Sequence, residues 1–398
     1  MNQKRQSAIV FAILSLGFIA QIIGAITPAI QAIGNAFPDV PFTSLMLVST
    51  LPSLIAVPFS VIGGAITGKV LKYKTVTYIS LLLLALGGMA PYWMKDWAMI
   101  LVARAVFGIG LGLMMPLGGA LVFNLVAPEK QANIMGLNGV VGNVGGMVIT
   151  LLGGVLATMH WSLPFLIHGI ALIILIIVAI FLPEPQKPEM PAGTPAAGAP
   201  KASGGMPAPV WIWSLVMMIS TILFYPSLTN ISTIFQQMGL NPAMAGTAII
   251  LMTIGGMVTG MVFGKIFGAI SFKCIPLGFI IIGCSQLLMA TGSNFIMFAG
   301  AEALLGIGNT FVMTAIMMAV GGAVTPDKSP MAMSFMMAGM NIGGFLSAFI
   351  YAAVMGAMGI TSMRFQYWSG LVCYGIMMVV TFLALARKSA APSNQINA

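Results

Sequence analysis

Two charged residues stand where charge is costly. Arg104 opens the string Arg104-Ala-Val-Phe-Gly-Ile-Gly110, and Glu302 opens Glu302-Ala-Leu-Leu-Gly-Ile-Gly308. The strings share one frame, lie 198 residues apart in a chain of 398, and carry opposite charges inside long apolar runs. Such a charge in a membrane is tolerated when it is paired, hydrated or functional. An arginine can clamp a carboxylate through two N–H bonds, and a glutamate can take up and release a proton. The pair therefore points to a binding or coupling site between two halves, with a structural ion pair as the alternative. Other polar residues recur at similar depth. Gln21 and Pro28 lie in the first apolar run, Tyr225, Pro226 and Thr229 in the seventh. Asn309 follows Glu302 by seven residues, which puts both on one helical face. These types suit a mostly apolar pocket with a few hydrogen-bonding groups, or hydrogen bonds between helices.

The elements that must position them are membrane helices. The sequence is 59% hydrophobic and only 6% charged, too few charges for the surface of a soluble domain. Its apolar runs are continuous rather than alternating, which selects helices over a barrel. Twelve spans are expected, at about 7–30, 42–68, 75–94, 97–124, 132–157, 162–182, 210–235, 243–268, 274–292, 295–322, 331–357 and 364–386. Residues 183–209, rich in Pro, Ala and Gly, read as a flexible linker between an N-terminal bundle (1–182) and a C-terminal bundle with a short tail (210–398). With the N-terminus inside, the inner segments hold thirteen Lys and Arg residues, and the outer edges hold only Lys95 and Arg364. The positive-inside rule then predicts cytoplasmic N- and C-termini. The fold class is all-α integral membrane: twelve transmembrane helices in two pseudosymmetric six-helix bundles, in a multi-pass protein of the cell membrane.

The halves repeat beyond the opening strings. Pro128-Glu-Lys130 matches Pro326-Asp-Lys328, and Asn143-Val-Gly-Gly146 matches Asn341-Ile-Gly-Gly344, both at an offset of 198. Thr27-Pro28 matches Tyr225-Pro226 at 198, and Gly64…Lys69 matches Gly260…Lys265 at 196. Six helices per half make this a parallel repeat, whose substrate site is expected at the repeat interface near the midplane. Rows of small residues, among them Gly64 and Gly68, Gly142 and Gly146, and Gly260 and Gly264, let helix backbones approach closely. Asn143 and Asn341 sit inside two such rows.

The repeat, the twelve spans and the central linker resemble the major facilitator superfamily. Gly64, Lys69, Lys72 and Lys74 fit that family's motif between the second and third helices, with Gly68 where the family has an aspartate. Arg104, Gly108, Gly110 and Gly112 fit its fourth-helix motif, and Gly142, Gly145 and Gly146 fit half of its fifth-helix motif. The resemblance implies that the first, fourth, seventh and tenth helices line a central cavity, so that Arg104 and Glu302 face it from opposite halves. It also implies that the second, fifth, eighth and eleventh helices join the halves. The glycine rows, Asn143 and Asn341 then form a rocking interface, Lys69 belongs to a gating loop, and Pro28 and Pro226 permit gating kinks.

The expected function is secondary active transport of a small organic molecule by alternating access, coupled to protons through Glu302. Export of drug-like or amphipathic compounds is favoured by the sparse charge and 34 methionines. Uptake or exchange of a carboxylate-bearing metabolite clamped by Arg104 is the alternative. The substrate-binding and coupling set is Arg104, Glu302, Gln21, Tyr225, Asn309 and Thr229. No nucleotide-binding or metal motif occurs, so no cofactor is expected and the proton gradient is the energy source. The partners are the small-molecule substrate and the lipid bilayer, with the monomer as the functional unit. Scattered basic residues form no nucleic-acid patch. A membrane-embedded enzyme or sensor is the distant alternative.

Overall fold

The computed structural model describes residues 3–185, 205–239 and 244–390. Most of the expected linker, 186–204, lies outside the described residues. In chain order the α-helices are α1 (Gln3–Phe18), α2 (Ile30–Ala36), α3 (Phe42–Leu45), α4 (Leu47–Ile66), α5 (Tyr73–Met89) and α6 (Trp97–Met114). There follow α7 (Leu117–Leu125), α8 (Pro128–Met159), α9 (Ile170–Phe181), α10 (Ala208–Thr229) and α11 (Ile231–Gln237). The last five are α12 (Met244–Ile270), α13 (Cys274–Thr291), α14 (Phe295–Gly322), α15 (Ser329–Met358) and α16 (Phe365–Ala390).

Ten described helical stretches are long and apolar enough to cross a bilayer, and the bent pair Arg5–Phe18 and Ile22–Ala36 makes an eleventh span. One of the ten, Gly246–Thr291, has 46 residues, roughly 70 Å at about 1.5 Å per residue, more than twice a hydrocarbon core of about 30 Å. It holds two crossings. Gly255 and Phe263 of α12 lie against Ala303 and Phe311 of α14, so these helices run parallel. Gly278 and Ser285 of α13 lie against Gly308 and Ala301, so α13 and α14 run antiparallel. The chain must therefore reverse between α12 and α13. It does so at Ser271–Lys273, where Ser271 adopts φ 51°. Twelve crossings result, as expected.

The first span differs from the expected continuous helix over 7–30. It breaks after Phe18 into two short 3₁₀ turns, Ile22–Ala25 and Thr27–Ala29, and bends by 46°. Pro28 has no N–H to give an α-helical bond and sits in the opening turn of the second of these. Tighter bonds such as Gly24 N–H to Gln21 O carry the chain through. Pro226, its repeat partner, lies inside α10 without breaking it.

The duplicated strings pack alike. Gly108 faces Pro52 of α4, and Gly306 faces Met252 of α12. Gly110 faces Ser80 and Leu84 of α5, and Gly308 faces Gly278 and Ile282 of α13, all related by 198. Added Cβ atoms at Gly108 and Gly110 would sit 2.8 Å from backbone atoms of those neighbours. The glycines thus let α6 and α14 each sink between two helices. The equivalence extends further: Gly87 faces the Ala103 carbonyl, and the Ser285 hydroxyl donates to the Ala301 carbonyl at 2.7 Å.

Two compact units form. Unit 1 comprises Met1–Gln131, Val141–Ser214 and Val320–Ala338; unit 2 comprises Ala132–Val140, Leu215–Ala319 and Gly339–Ala398. Each unit therefore takes a helical segment from the opposite half of the sequence: the start of α15 in unit 1, the early turns of α8 in unit 2.

Candidate functional site

Arg104 is fully buried in unit 1. Its Nε donates to the Val48 carbonyl of α4 at 2.8 Å, and its Nη1 lies 3.4 Å from His168 Nε2. His168 Nδ1 lies 2.9 Å from the Phe165 carbonyl. A carbonyl only accepts, so Nδ1 carries the ring proton and Nε2 is left to accept from Arg104. The Phe107 ring lies 4.3 Å from the Arg104 Cζ and 4.8 Å edge-on from His168. Gly88 leaves the space that the imidazole fills. Only Nη2 lacks a partner. Sequence reasoning treated Arg104 as a carboxylate clamp or as the ion-pair partner of Glu302. Nε and one Nη1 N–H are engaged, so the side edge shared by Nε and Nη2 does not clamp a carboxylate through two bonds, and Nη2 remains the unpartnered group. Arg104→Met is expected to cost about 1–3 kcal/mol, since it orphans the Val48 carbonyl and His168 Nε2. Thermal unfolding of the purified protein checks this, with binding of uncharged ligands expected to persist.

Glu302 is fully buried in unit 2, and neither carboxyl oxygen has a hydrogen-bond partner. The Tyr367 hydroxyl of α16, in the same unit, is also buried and without a partner. Gln286 of α13, in the same unit, is also fully buried. Its Nε2 donates to Ser227 of α10 at 3.3 Å while its Oε1 is unpartnered. Arg364, one turn before Tyr367, donates from Nη1 to the Ala290 carbonyl and from Nη2 to the Gly292 carbonyl, at 2.8 and 2.7 Å. It closes the C-terminal end of α13. A buried, unengaged acid makes a site able to hold or pass a proton.

A cavity of about 480 Å³ opens within unit 2. It brings together three sequence candidates, Tyr225, Pro226 and Thr229, and adds Asn230, Tyr351 and Gln366. No Lys, Arg, Asp or Glu lines it. Asn230 donates to Gln366 Oε1. Tyr225 is 38% exposed, and its ring occupies the space left by Gly344. Asn309 and Glu302 are not in this wall; Asn309 is half-buried on α14. Gln21 falls in the broken first span of unit 1, exposed and packed on Gly146. Pro28 is likewise exposed, beside Gly154.

The glycine rows divide between two uses. Gly64 packs on Pro330 and Ser334 of α15 within unit 1, and Gly260 and Gly264 pack on Gly136 and Asn133 of α8 within unit 2. These contacts bring together helices from opposite halves of the sequence. Gly142 and Gly146 do not: they pack on Gly17 and Gln21 in the first span. That corrects their expected place in an interface between halves. A small-residue row requires a close neighbour but does not specify which one. Asn143 beside them is half-buried, and Asn341 is partnered.

Gly68 and Lys69 lie in the loop before α5. Gly68 takes φ 76° against the Tyr73 ring, and Lys69 is exposed with its Nζ 4.0 Å from Met331 Sδ. Around them the Tyr73 hydroxyl donates to the Pro326 carbonyl at 3.1 Å, and Asn124 Nδ2 donates to Ser329 Oγ at 3.0 Å. Both Glu184 oxygens accept from the opening N–H groups of α5, at Tyr73 and Lys74, the favourable place for an anion.

Sequence reasoning missed His168 as a partner of Arg104, and it missed Tyr367, Gln366 and Tyr73. One signal was available: His168 and Gln366 are related by the same offset of 198.

A family model of the Major Facilitator Superfamily matches residues 7–277. An uncharacterized MFS-type transporter of Bacillus subtilis (strain 168), YttB, is 24% identical over 278 residues, 68% of each chain. The crystal structure of the human organic anion transporter MFSD10 has a TM-score of 0.77 at 15% identity, covering 96% of this chain and 100% of that one. The E. coli fucose:proton symporter FucP gives 0.72 at 13% identity, covering 94% and 98%. With the family model matching about two thirds of the sequence and the twelve-helix fold in agreement, the chain belongs to the major facilitator superfamily and is a multi-pass membrane transporter rather than an enzyme.

Proposed function

We propose that this transporter exports a small, uncharged or amphipathic organic molecule by alternating access, driven by inward movement of protons through Glu302. The observation that carries the reading is the pairing, in one unit, of a charge-free cavity of about 480 Å³ with a fully buried, unpartnered carboxyl. An uncharged substrate needs no countercharge in its cavity, so the one acid buried in that unit is available for the proton. The carboxylate reading comes second because Arg104 already gives Nε to Val48 and an Nη1 N–H to His168, which leaves Nη2 as its unpartnered group. The excess of basic residues on alternate loops supports cytoplasmic termini, so export runs from that side. The proton gradient serves as the energy source, and the monomer, with its two six-helix bundles joined by the linker, as the working unit.

A thermal-shift screen of the purified full chain across pH tests this. Neutral amphiphiles are expected to stabilise it, with a pH-dependent effect, and carboxylates are not. Stabilisation by carboxylates that is lost in Arg104→Gln would replace this reading with the carboxylate one. In proteoliposomes, an imposed proton gradient should drive accumulation of the stabilising compound; accumulation that ignores the gradient removes proton coupling.

A further inference from the structure

One donor in the unit 2 cavity has poor company. Gln366 is only 7% exposed. Its Oε1 accepts from Asn230, but its Nε2 meets two thioether sulfurs, Met355 Sδ at 3.4 Å and Met363 Sδ at 4.0 Å. A thioether is a weak acceptor, and a buried N–H gains a full hydrogen bond only from a better one. The backbone at this residue is also engaged: the Tyr351 hydroxyl donates to the Gln366 main-chain carbonyl at 3.4 Å, and the Ser369 hydroxyl donates to the same carbonyl at 2.9 Å. In the first half the equivalent residue is His168, whose ring nitrogens are engaged by Arg104 and Phe165. In the second half the residue turns its donor to a cavity instead.

We infer that this cavity binds an uncharged ligand through an oxygen acceptor, a ketone, amide, ether or hydroxyl oxygen. That oxygen takes the Gln366 Nε2–H in place of the sulfurs, which makes Gln366 the specificity-determining residue. Displaced from the amide, the flexible Met355 and Met363 side chains pack on the apolar body of the ligand, with Tyr225 and Tyr351 supplying ring surface. The volume falls within the range of about 300–1,000 Å³ typical of small-molecule sites. The assignment names the substrate class of the transport reading and rests on it for its biological meaning.

Benzophenone and diphenylmethane differ only by a carbonyl in place of a methylene, and benzophenone also crosslinks on irradiation. Benzophenone photolabelling of the full chain, mapped by peptide mass spectrometry, should mark Met355 or Met363. Diphenylmethane should compete about tenfold more weakly than unlabelled benzophenone, the scale of one hydrogen bond. Gln366→Leu should erase that difference. Gln366→Met, of similar volume and with no hydrogen on a nitrogen or oxygen to donate, should erase it too and guards against a packing defect in the first variant. Labelling elsewhere, equal competition in the wild type, or a preference that survives Gln366→Met overturns the inference. If the preference holds while an imposed proton gradient drives no transport, the binding site stands and the coupled-transport reading falls.

Discussion

Glu302→Gln is expected to abolish proton-driven transport while leaving exchange of substrate at equal pH within about threefold of the wild type. The first loss should be roughly a hundredfold or more, the scale on which one positioned proton carrier acts. The substitution keeps the shape of the side chain and removes its ability to change charge. Both Glu302 oxygens are buried and without partner, so no ion pair is broken and the fold should survive. Tyr367, a buried and unpartnered phenol of the same unit, offers a control. Tyr367→Phe removes a buried hydroxyl but no ionisable acid of comparable strength, and it should leave transport coupled. Uptake into proteoliposomes with and without a pH gradient separates these outcomes. If Glu302→Gln still accumulates substrate against a gradient, the coupling group lies elsewhere.

The placement of Glu302 also shows what the sequence could and could not tell. Its burial and its repeat relation to Arg104 were legible, because a 198-residue offset carries whole contact pairs with it, such as Gly110 on Ser80 and Gly308 on Gly278. The direction in which each charge points was not. A helix of small and apolar residues such as α6 has no strongly polar face to define its inside, so periodicity cannot orient Arg104. Only the packing of α4 and of the segment bearing His168 does that. The break in the first span had a local cause in Pro28, yet Pro226 at the matching position leaves α10 whole. The same residue type gives different outcomes because neighbouring helices supply or withhold the compensating contacts. Of the cavity residues, Asn230 carried no signal beyond polarity and Gln366 only its repeat relation to His168, since their roles arise from the meeting of α10, α15 and α16.

Gly64→Leu is expected to force the first turns of α15 away from α4. An added Cβ at Gly64 would lie 2.7 Å from the Pro330 carbonyl and 2.8 Å from Ser334 Cβ, with Ser334 Oγ nearer still. No rotamer avoids a clash that begins at Cβ and meets backbone. The same α15 segment is held by the Tyr73 hydroxyl on Pro326 and by Asn124 on Ser329, so the contact is keyed to α4, α5 and α7 together. Residues 320–338 belong to unit 1 while the rest of α15 belongs to unit 2; under the proposed alternating-access cycle, this contact is expected to open and close as a gate. Overpacking of about 1–3 kcal/mol shifts such an equilibrium roughly 5- to 150-fold. With Cys274, Cys284 and Cys373 replaced by serine, a Ser334→Cys reporter, buried in the wild type, should react with maleimide at least about tenfold faster in the Gly64→Leu background, and net transport should fall as closure fails. Gly64→Ala should give the same direction with a smaller effect, because its methyl group already meets the Pro330 carbonyl. Equal labelling in all three backgrounds would make the contact static packing rather than a gate.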